Sequence, residues 1–532
     1  MDAEANRRTC AVIRALEARI ARDSGRRALA IAGMVVGFLA AVGVPALLTF
    51  WDPSPPLSAE AKAALGALAA AGLGLGLWLV TVVSGLGKGI ERMKARRDAE
   101  ERTAWAQMEP LNALYTWDLS VNLIEATVPR LEFDPYFSSK RLKDLGRLYG
   151  LTDEFNAGRS VLFAQSGVIN GNPFVFGEYL EQSWGTETYH GSITISWQER
   201  ERDERGRTRW VTRFETLTAS VTKPAPLYAT EKILIYGNDA APDLTFTHVP
   251  SGLDSGGVFT GLKKMRRLHK LRAFSRNLDD DSQFTMMSNE EFETWFHTPD
   301  RNHEVQYRVL FSALAQRQLL ALMKDTETGF GDDFTFEKDH KLNRLRPEHL
   351  QSADLDTPPE RYRDYDLDRA EATFRNFNET DYRDLYFSLA PLMAIPAYQQ
   401  TRTHEDIWKI RTDAEGSSFW EHESLANYYG DRRLGPKGGI TQSIFKTAVL
   451  RRRDGVSDVE VTAHAFRGVK HVEHCSVFGG DGKWHDVPVE WTEYVPVERR
   501  SVMVVAEEDL PHEESNAEIW RSMLRRSIRS YV

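Results

Sequence analysis

The sequence predicts an α+β protein in which a hairpin of two membrane-crossing helices precedes a larger part made of helices and antiparallel sheets. Two uncharged apolar runs between residues 28 and 87 predict the hairpin. Downstream, some segments carry apolar residues at helical spacing, and others alternate apolar with polar residues as half-buried strands do. With 532 residues in all, the chain has room after the hairpin for two or three domains of ~100–200 residues each.

The two apolar runs, Ala28 to Trp51 and Ala63 to Gly87, contain no charged residue. At ~1.5 Å per residue, a helix of either length spans a hydrocarbon core of ~30 Å. The Pro-rich turn at residues 52–60 is too short for a domain, so the second run should return the chain to its starting side. The alternatives are a secretory signal peptide, whose apolar region is usually about 7–15 residues, and a buried pair of soluble helices.

Basic residues flank the hairpin and predict its orientation. They precede the first run at Arg7, Arg8, Arg14, Arg19, Arg22, Arg26 and Arg27, and follow the second at Lys88, Arg92, Lys94, Arg96 and Arg97. The connecting region has Asp52 and Glu60 against Lys62. Because segments rich in Lys and Arg stay in the cytoplasm, we expect a multi-pass protein of the cell (inner) membrane with both termini cytoplasmic.

Composition narrows the classes of partner and cofactor. The net charge of −10 lacks the basic excess typical of nucleic-acid binders, so no specific nucleic acid is expected. Cys10 and Cys475 are the only cysteines, which excludes a disulfide framework and a four-cysteine zinc site within one chain and fits a reducing cytoplasm. The chain shows no clear cofactor motif, and we expect none to be bound.

Small residues form a stripe in each run, at Gly33 to Gly37 in the first and at Gly72 to Gly76 in the second. Such spacing lets two helix backbones approach closely in lipid. The stripes suit packing within the hairpin and also association of two copies. A second copy of this chain is therefore a candidate partner, in addition to the lipid bilayer.

The pattern divides the chain into six parts. They are a basic tail at residues 1–27, the hairpin at 28–87, a helical stalk at 88–130, an α+β domain at 131–345, a charged linker with a buried apolar segment at 346–402, and a β-rich module with a terminal helix at 403–532. Asp203 to Arg207 and Gly479 to Gly482 are typical of hairpin turns. Leu385 to Thr401 is uncharged but broken by Pro391 and Pro396, so we expect it in the core rather than as a third span.

A basic helix is predicted near the start of the second half, with Leu262, Met265 and Leu268 on its apolar face. Seven cations crowd its remaining surface: Lys263, Lys264, Arg266, Arg267, Lys270, Arg272 and Arg276. A solvated helix surface is the simplest interpretation. The same charges would suit contact with an anionic membrane leaflet or with a polyanion such as a nucleic-acid backbone.

The stretch His471-Val472-Glu473-His474-Cys475 brings metal-ligand residue types together. In a strand, however, His471 and His474 point to opposite faces, because side chains alternate with a period of two. A histidine from elsewhere, such as His464 or His485, would have to complete a site on one face. These two histidines and His471, His474 and Cys475 are the candidate metal ligands.

The order of features also resembles a bacterial membrane-protein family labelled domain of unknown function 3137. The similarity covers roughly residues 28 to 345 and is carried by Phe163, Gly167 to Glu178, Phe292, Phe296, His303 to Leu322 and Phe334-Thr335-Phe336. The family's long helix tends to have an acidic residue two positions before an arginine and a Thr-Pro shortly after, where this chain has Gln306, Arg308 and Ser312-Ala313. The resemblance implies two spans followed by a cytoplasmic region of helices and strands, and it implies no reaction.

These patterns favour a non-enzymatic, membrane-tethered scaffold or interaction protein with a large cytoplasmic part. The alternative is a membrane-associated, metal-dependent hydrolase with its site in the C-terminal module. The cluster from His471 to Cys475 motivates that alternative.

Overall fold

The computed structural model contains helices and two antiparallel sheets, which confirms the mixed α and β character predicted from the sequence. The described residues are 1–50, 59–116, 119–128, 130–152, 158–202, 208–253, 260–276, 284–329, 331–353, 357–402, 416–453, 455–506 and 529–531. They cluster into two compact units, Met1–Thr116 with Pro358–Glu379 and Trp117–Thr357 with Thr380–Val532. The domain boundaries drawn from the sequence stay predictions.

The first unit is built around two long helices, α1 (Ala3–Phe50) and α2 (Ala59–Asn112). The basic tail is continuous with the first apolar run, and most of the stalk is continuous with the second. Both helices contain a stretch long and apolar enough to cross a membrane. This confirms two candidate spans, whereas their orientation stays a prediction and the connecting turn lies mostly outside the described residues.

The small-residue stripes face each other between α1 and α2. A Cβ added at Gly37 would lie 2.8 Å from the carbonyl oxygen of Gly72, and one added at Gly72 would lie 2.9 Å from the carbonyl oxygen of Gly37. Small residues at a helix interface allow backbones to approach this closely. The stripes therefore pack the hairpin within one chain, and their use between two copies stays a prediction.

Residues 358–379 pack against the same pair of helices. Asn6 Nδ2 donates to the carbonyl oxygen of Tyr365 at 2.8 Å, and the ring of Tyr115 stacks on that of Tyr362 at 5.5 Å. Part of the segment expected to be a charged linker is thus folded against the helices. Its tyrosine rings supply apolar surface for this packing, although the segment is rich in charged residues.

The second unit holds a seven-stranded antiparallel sheet. Its strands are β1 (Leu131–Phe133), β2 (Arg159–Ile169), β3 (Asn172–Arg202), β4 (Thr208–Gly237), β5 (Thr245–His248), β6 (Phe334–Asp339) and β7 (Leu342–Pro347), in the spatial order β1-β2-β3-β4-β7-β6-β5. The accompanying helices are α3 (Leu119–Thr127), α4 (Ser139–Asp144), α5 (Thr260–Arg276), α6 (Glu290–Trp295), α7 (Glu304–Leu310), α8 (Ala313–Lys324), α9 (Glu348–Ser352), the second part of α10 (Leu367–Met393), α11 (Pro396–Gln400) and α12 (Phe419–Leu434).

A second antiparallel sheet has four strands. They are β8 (Ile444–Arg453), β9 (Val456–Phe478), β10 (Trp484–Ala506) and β11 (Arg529–Tyr531), in the order β11-β10-β9-β8. β3 with β4 and β9 with β10 form the two hairpins that the sequence predicted, but their strands have 23 to 31 residues. Typical strands have about 5–6 residues, so this length was not expected. The predicted turn at 203–207 lies outside the described residues.

The main core packs one face of the seven-stranded sheet against helices, and the apolar segment at 385–401 contributes to it. Leu385, Leu389, Leu392 and Tyr398 belong to this buried cluster. The helix that carries the three leucines, α10, ends shortly after Pro391. Pro396 then opens α11, which contains Tyr398, and this fits the preference of proline for a first helical turn. This segment therefore lies in the core of the second unit.

Two helices differ from the sequence-based prediction. The region from His303 to Leu322, which resembles the long helix of the family named above, lies in two helices, because Ser312 Oγ accepts a hydrogen bond from Ala315 N and caps the second. Of the terminal helix expected at Asn516 to Tyr531, the structure describes only Arg529–Tyr531, and these residues form a strand. The prediction is therefore wrong for these three residues, and the others lie outside the described part.

Candidate functional site

Two long hairpins extend beyond the strands that flank them. We call their distal parts the arm, which comprises residues 182–202 with 208–229 and residues 465–478 with 484–497. Strand β2 pairs with β3 only as far as Glu181, and β7 pairs with β4 only from Leu234 onward. At ~3.3 Å per residue, the unflanked part of β3 alone is about 70 Å long.

The two hairpins of the arm pack face to face. A Cβ added at Gly191 in β3 would overlap the carbonyl oxygen of Pro488 in β10, so glycine is needed for this close approach. Near the end of the second hairpin, Gly480 N donates to Glu215 Oε2 at 2.6 Å. The hairpins therefore support each other well beyond the sheets from which they emerge.

Alternation of side chains gives each hairpin of the arm an inner face and an outer face. The inner layer contains an ion pair of Lys223 with Glu473 and a group of buried apolar residues: Leu217, Val221, Ala225, Val487 and Val489. On the outer face of the first hairpin, the hydroxyl groups of Thr188 and Thr222 lie 3.1 Å apart, and those of Thr194 and Thr216 lie 3.3 Å apart. The arm is thus a two-layer structure with its own small core.

Large aromatic side chains stay exposed towards the end of the arm. Trp210 and Phe214 are 59% and 72% exposed, and Phe478 and Trp484 are 57% and 69% exposed. Strand alternation places the first pair on the outer face of one hairpin and the second pair on the outer face of the other. We call these four residues the aromatic tip. The rings of Phe478 and Trp484 contact edge to face at 5.5 Å, and the guanidinium of Arg200 lies 4.6 Å from the centre of the Trp210 ring. Sequence reasoning missed the tip, although aromatic residues beside the two hairpin turns were a usable signal.

The five candidate metal ligands lie on the second hairpin but do not converge. His464 and His474 share one face of β9, about 33 Å apart at ~3.3 Å per residue. His471 and Cys475 lie on the other face, and His471 and His485 each hydrogen-bond a carboxylate of their own hairpin at 2.7 and 2.9 Å. In the part of the chain that the structure describes, no group of three or more His, Cys, Asp or Glu residues is placed to hold a metal ion. The strand register therefore does not support a site built from these five side chains.

Three of the seven cations of α5 have partners on α6. Lys264 Nζ lies 2.9 Å from Glu291 Oε1, and Arg272 Nη2 lies 2.6 Å from Glu290 Oε2. Arg267 is half-buried and donates to a backbone carbonyl of α6 at 3.4 Å. The hydrogen bond from Arg272 lowers the pKa of Glu290, as expected for a carboxylate beside a cation. These three cations serve contacts within the fold.

The apolar side chains of α5 are distributed over two sides of the helix. Leu262 and Met265, which the sequence predicted on one apolar face, are 55% and 70% exposed, while Leu271 is buried. These two side chains therefore make no core contact among the described residues, because α6 covers a different side of the helix. Three cations are exposed and have no ion-pair partner among the described residues: Lys263, Arg266 and Lys270. The side chain of Arg276 lies outside the described residues.

A cleft of about 520 Å³ opens beside the base of the arm, which is within the size range of small-molecule sites. Its charged groups are engaged within the protein. Lys446 Nζ lies 3.2 Å from Glu423 Oε1, and His464 Nδ1 lies 3.8 Å from Glu498 Oε2. Burial lowers the pKa of Lys446, and the Glu423 carboxylate opposes that shift. Lys446 and His464 of the described lining thus already have carboxylate partners within the protein.

Comparison with known proteins does not add a relative: no family model, no curated protein and no solved structure matches the chain. The resemblance to the family labelled domain of unknown function 3137 stays a prediction. The functional argument therefore rests on the arm, its aromatic tip and the outer face of α5.

Proposed function

We propose that this protein is a membrane-anchored interaction protein whose arm binds a protein partner through the aromatic tip. The single observation that carries the proposal is the exposure of four large aromatic side chains towards the end of a projecting, two-layer arm. Tryptophan and other aromatic residues are enriched among the few side chains that supply most of the binding free energy in protein interfaces.

The shape of the arm supports this role. A protein partner can reach aromatic carbons at the end of a projection without displacing any part of the fold, and burying them releases free energy in proportion to area. The inner layer stiffens the arm, which lowers the entropy lost on binding. The alternative of a metal-dependent hydrolase lacks a matching arrangement of ligands among the described residues.

Membrane anchoring is the second part of the proposal and is supported by the two candidate spans and by the cations that flank them. Both termini then lie in the cytoplasm. A reporter that is active only in the cytoplasm should work after Val532, and one that is active only after export should work when inserted at Ser54. The opposite pattern would contradict the orientation.

The aromatic tip is tested by photo-crosslinking of the full chain in its native membrane. A photoreactive amino acid at Phe214 or Trp484 should give a crosslink to a specific protein, which is then identified and purified. A control at Tyr428, which is 77% exposed on α12, should give none. A crosslink between two copies of this chain would identify the partner as a second copy.

Binding of the purified partner then measures the contribution of the tip. The double variant F214S/W484S should weaken the affinity by at least ~30-fold, since a strong interface anchor contributes about 2 kcal/mol or more. The control variant Y428S removes an aromatic side chain of similar exposure and should change the affinity less than 2-fold. Equal effects of the two variants would contradict binding through the tip.

A further inference from the structure

The outer face of α5 combines exposed apolar side chains with cations that have no ion-pair partner in the described part of the chain. Leu262 and Met265 are 55% and 70% exposed. With 3.6 residues per turn, they point into the same half of the helix as Arg266 and next to Lys263 and Lys270. On an ordinary solvated helix surface, large apolar residues are normally single rather than grouped with cations on one side.

We infer that the outer face of α5 docks on an anionic lipid surface. Leu262 and Met265 insert between the headgroups, while Lys263, Arg266 and Lys270 contact lipid phosphates. A helix with an apolar stripe beside Lys and Arg is the arrangement that lies in a membrane interface. The inference rests on the membrane anchoring proposed above, because the candidate spans would tether the chain to a bilayer.

The two carboxylates of α6 that face α5 are paired with other cations. Arg272 pairs with Glu290, Lys264 pairs with Glu291, and Lys324 of α8 also lies 2.9 Å from Glu291. Among the described residues, Lys263, Arg266 and Lys270 therefore meet the lipid without a competing carboxylate from α6. Each Lys or Arg near an anionic surface strengthens binding about 5-fold, so that three together contribute roughly 100-fold.

The exposed apolar pair favours lipid over nucleic acid as the ligand. A phosphodiester backbone would engage the cations but would leave Leu262 and Met265 in water. A bilayer satisfies both, because it places acyl chains directly beneath its charged headgroups. Nucleic acid is therefore an alternative that the test must separate.

The test places an environment-sensitive fluorophore at position 265 of the full chain. The variant M265C, in a C475S background that leaves the buried Cys10 unchanged, is labelled and incorporated into nanodiscs of either phosphatidylglycerol or phosphatidylcholine. We expect a blue shift of the emission and quenching by brominated lipid in the anionic discs only. The shift should weaken in 1 M salt, where the screening length falls to about 3 Å.

Two triple variants test whether Lys263, Arg266 and Lys270 are responsible for the blue shift. K263Q/R266Q/K270Q should abolish the blue shift. K264Q/R272Q/K324Q removes the same charge from side chains that Glu290 and Glu291 hold, and it should keep most of the shift. Equal losses in the two variants, or an equal shift in phosphatidylcholine, would overturn the inference.

Two further outcomes separate this inference from its alternatives. A shift produced by duplex nucleic acid and not by anionic lipid would identify a polyanion site and would overturn lipid docking. Failure of the chain to enter nanodiscs would contradict the proposed anchoring instead. In that case the emission of the label is measured with added phosphatidylglycerol vesicles. Docking of α5 still predicts a blue shift, and no blue shift would contradict docking.

Discussion

The outer face of α5 and the corner formed by α6 and α7 both contain cations but place them in opposite environments. In the corner, the side chain of Arg301 is fully buried, with Nη2 2.9 Å from Glu293 Oε1 and Nε 2.7 Å from Glu304 Oε1. Its guanidinium also lies 4.1 Å from the centre of the Tyr307 ring. On α5, the exposed cations Lys263, Arg266 and Lys270 have no such partners among the described residues.

This difference shows that the role of a cation follows from its partners rather than from its place in a basic segment. Removing a charge from water costs several kcal/mol, so a buried side chain that stays charged needs a partner and then serves the fold. An exposed cation keeps its hydration and remains free to meet an anionic ligand at little cost. Substitutions in the two regions should therefore have opposite effects on stability and binding.

The largest expected effect lies in the corner. Replacing Arg301 with Met leaves Glu293 buried without its counter-charge, and this should lower the local free energy of unfolding by about 3–5 kcal/mol. The measurement is amide hydrogen exchange of α6 and α7 in the detergent-solubilised chain. The control is R308M, since Arg308 also lies near Glu304, at 3.6 Å, but is 46% exposed. Equal destabilisation by both variants would contradict the prediction that a buried cation contributes more to stability than an exposed one.

An intermediate effect is expected at the pair beside the cleft. Glu423 is buried and accepts hydrogen bonds from Lys446 Nζ at 3.2 Å and from Val161 N at 3.0 Å. E423A should lower the free energy of unfolding by about 1.5–3 kcal/mol, as for hydrogen bonds to a charged group. Lys446 can still turn towards solvent, so the loss should be smaller than in R301M. A denaturant titration of both variants in detergent checks this order.

The pH dependence of stability extends the comparison to a buried cation without an ion-pair partner among the described residues. Burial lowers the pKa of Lys338 to about 7, below its unfolded value of ~10.4. Between pH 7 and 10 the unfolded chain therefore binds more protons at this residue than the folded chain does. The free energy of unfolding of the natural chain should then rise with pH. The stability advantage of K338M over the natural chain should fall by up to ~1.4 kcal/mol per pH unit in this window.

Denaturant titrations of K338M at pH 7, 8, 9 and 10 measure this slope. K341M provides the control, because Lys341 is 41% exposed and lies 2.8 Å from Asp239. Its stability difference from the natural chain should stay nearly constant over the same range. A flat difference for K338M as well would mean that Lys338 is solvated.

The smallest effect on stability is expected on α5. K263Q/R266Q/K270Q should change the free energy of unfolding by less than about 0.5 kcal/mol, because exposed side chains without partners contribute little. A thermal melt in detergent, without anionic lipid, measures this difference. A loss of several kcal/mol would show that the three cations stabilise the fold, and it would end the contrast with Arg301.

Part of the fold and little of the candidate site could be predicted from the sequence. The candidate spans, both hairpins and the strand character of residues 471–475 follow from local patterns of charge, hydropathy and alternation. The exposure of Leu262 and Met265 could not be predicted, because an apolar spacing does not state which side of a helix its neighbour covers. The aromatic tip was missed for a related reason: exposure depends on where the packed layer of the arm ends.

The sequence by itself determined the two long apolar helices and both hairpins, since periodicity and turn residues act over a few positions. It also determined which helices are long and apolar enough to cross a membrane. Only the tertiary structure decided that Gly191 lies against Pro488 and that Arg301 is enclosed by two carboxylates. It also decided that three cations of α5 have no carboxylate partner among the described residues. These outcomes depend on contacts between side chains of different elements, which a one-dimensional pattern does not encode.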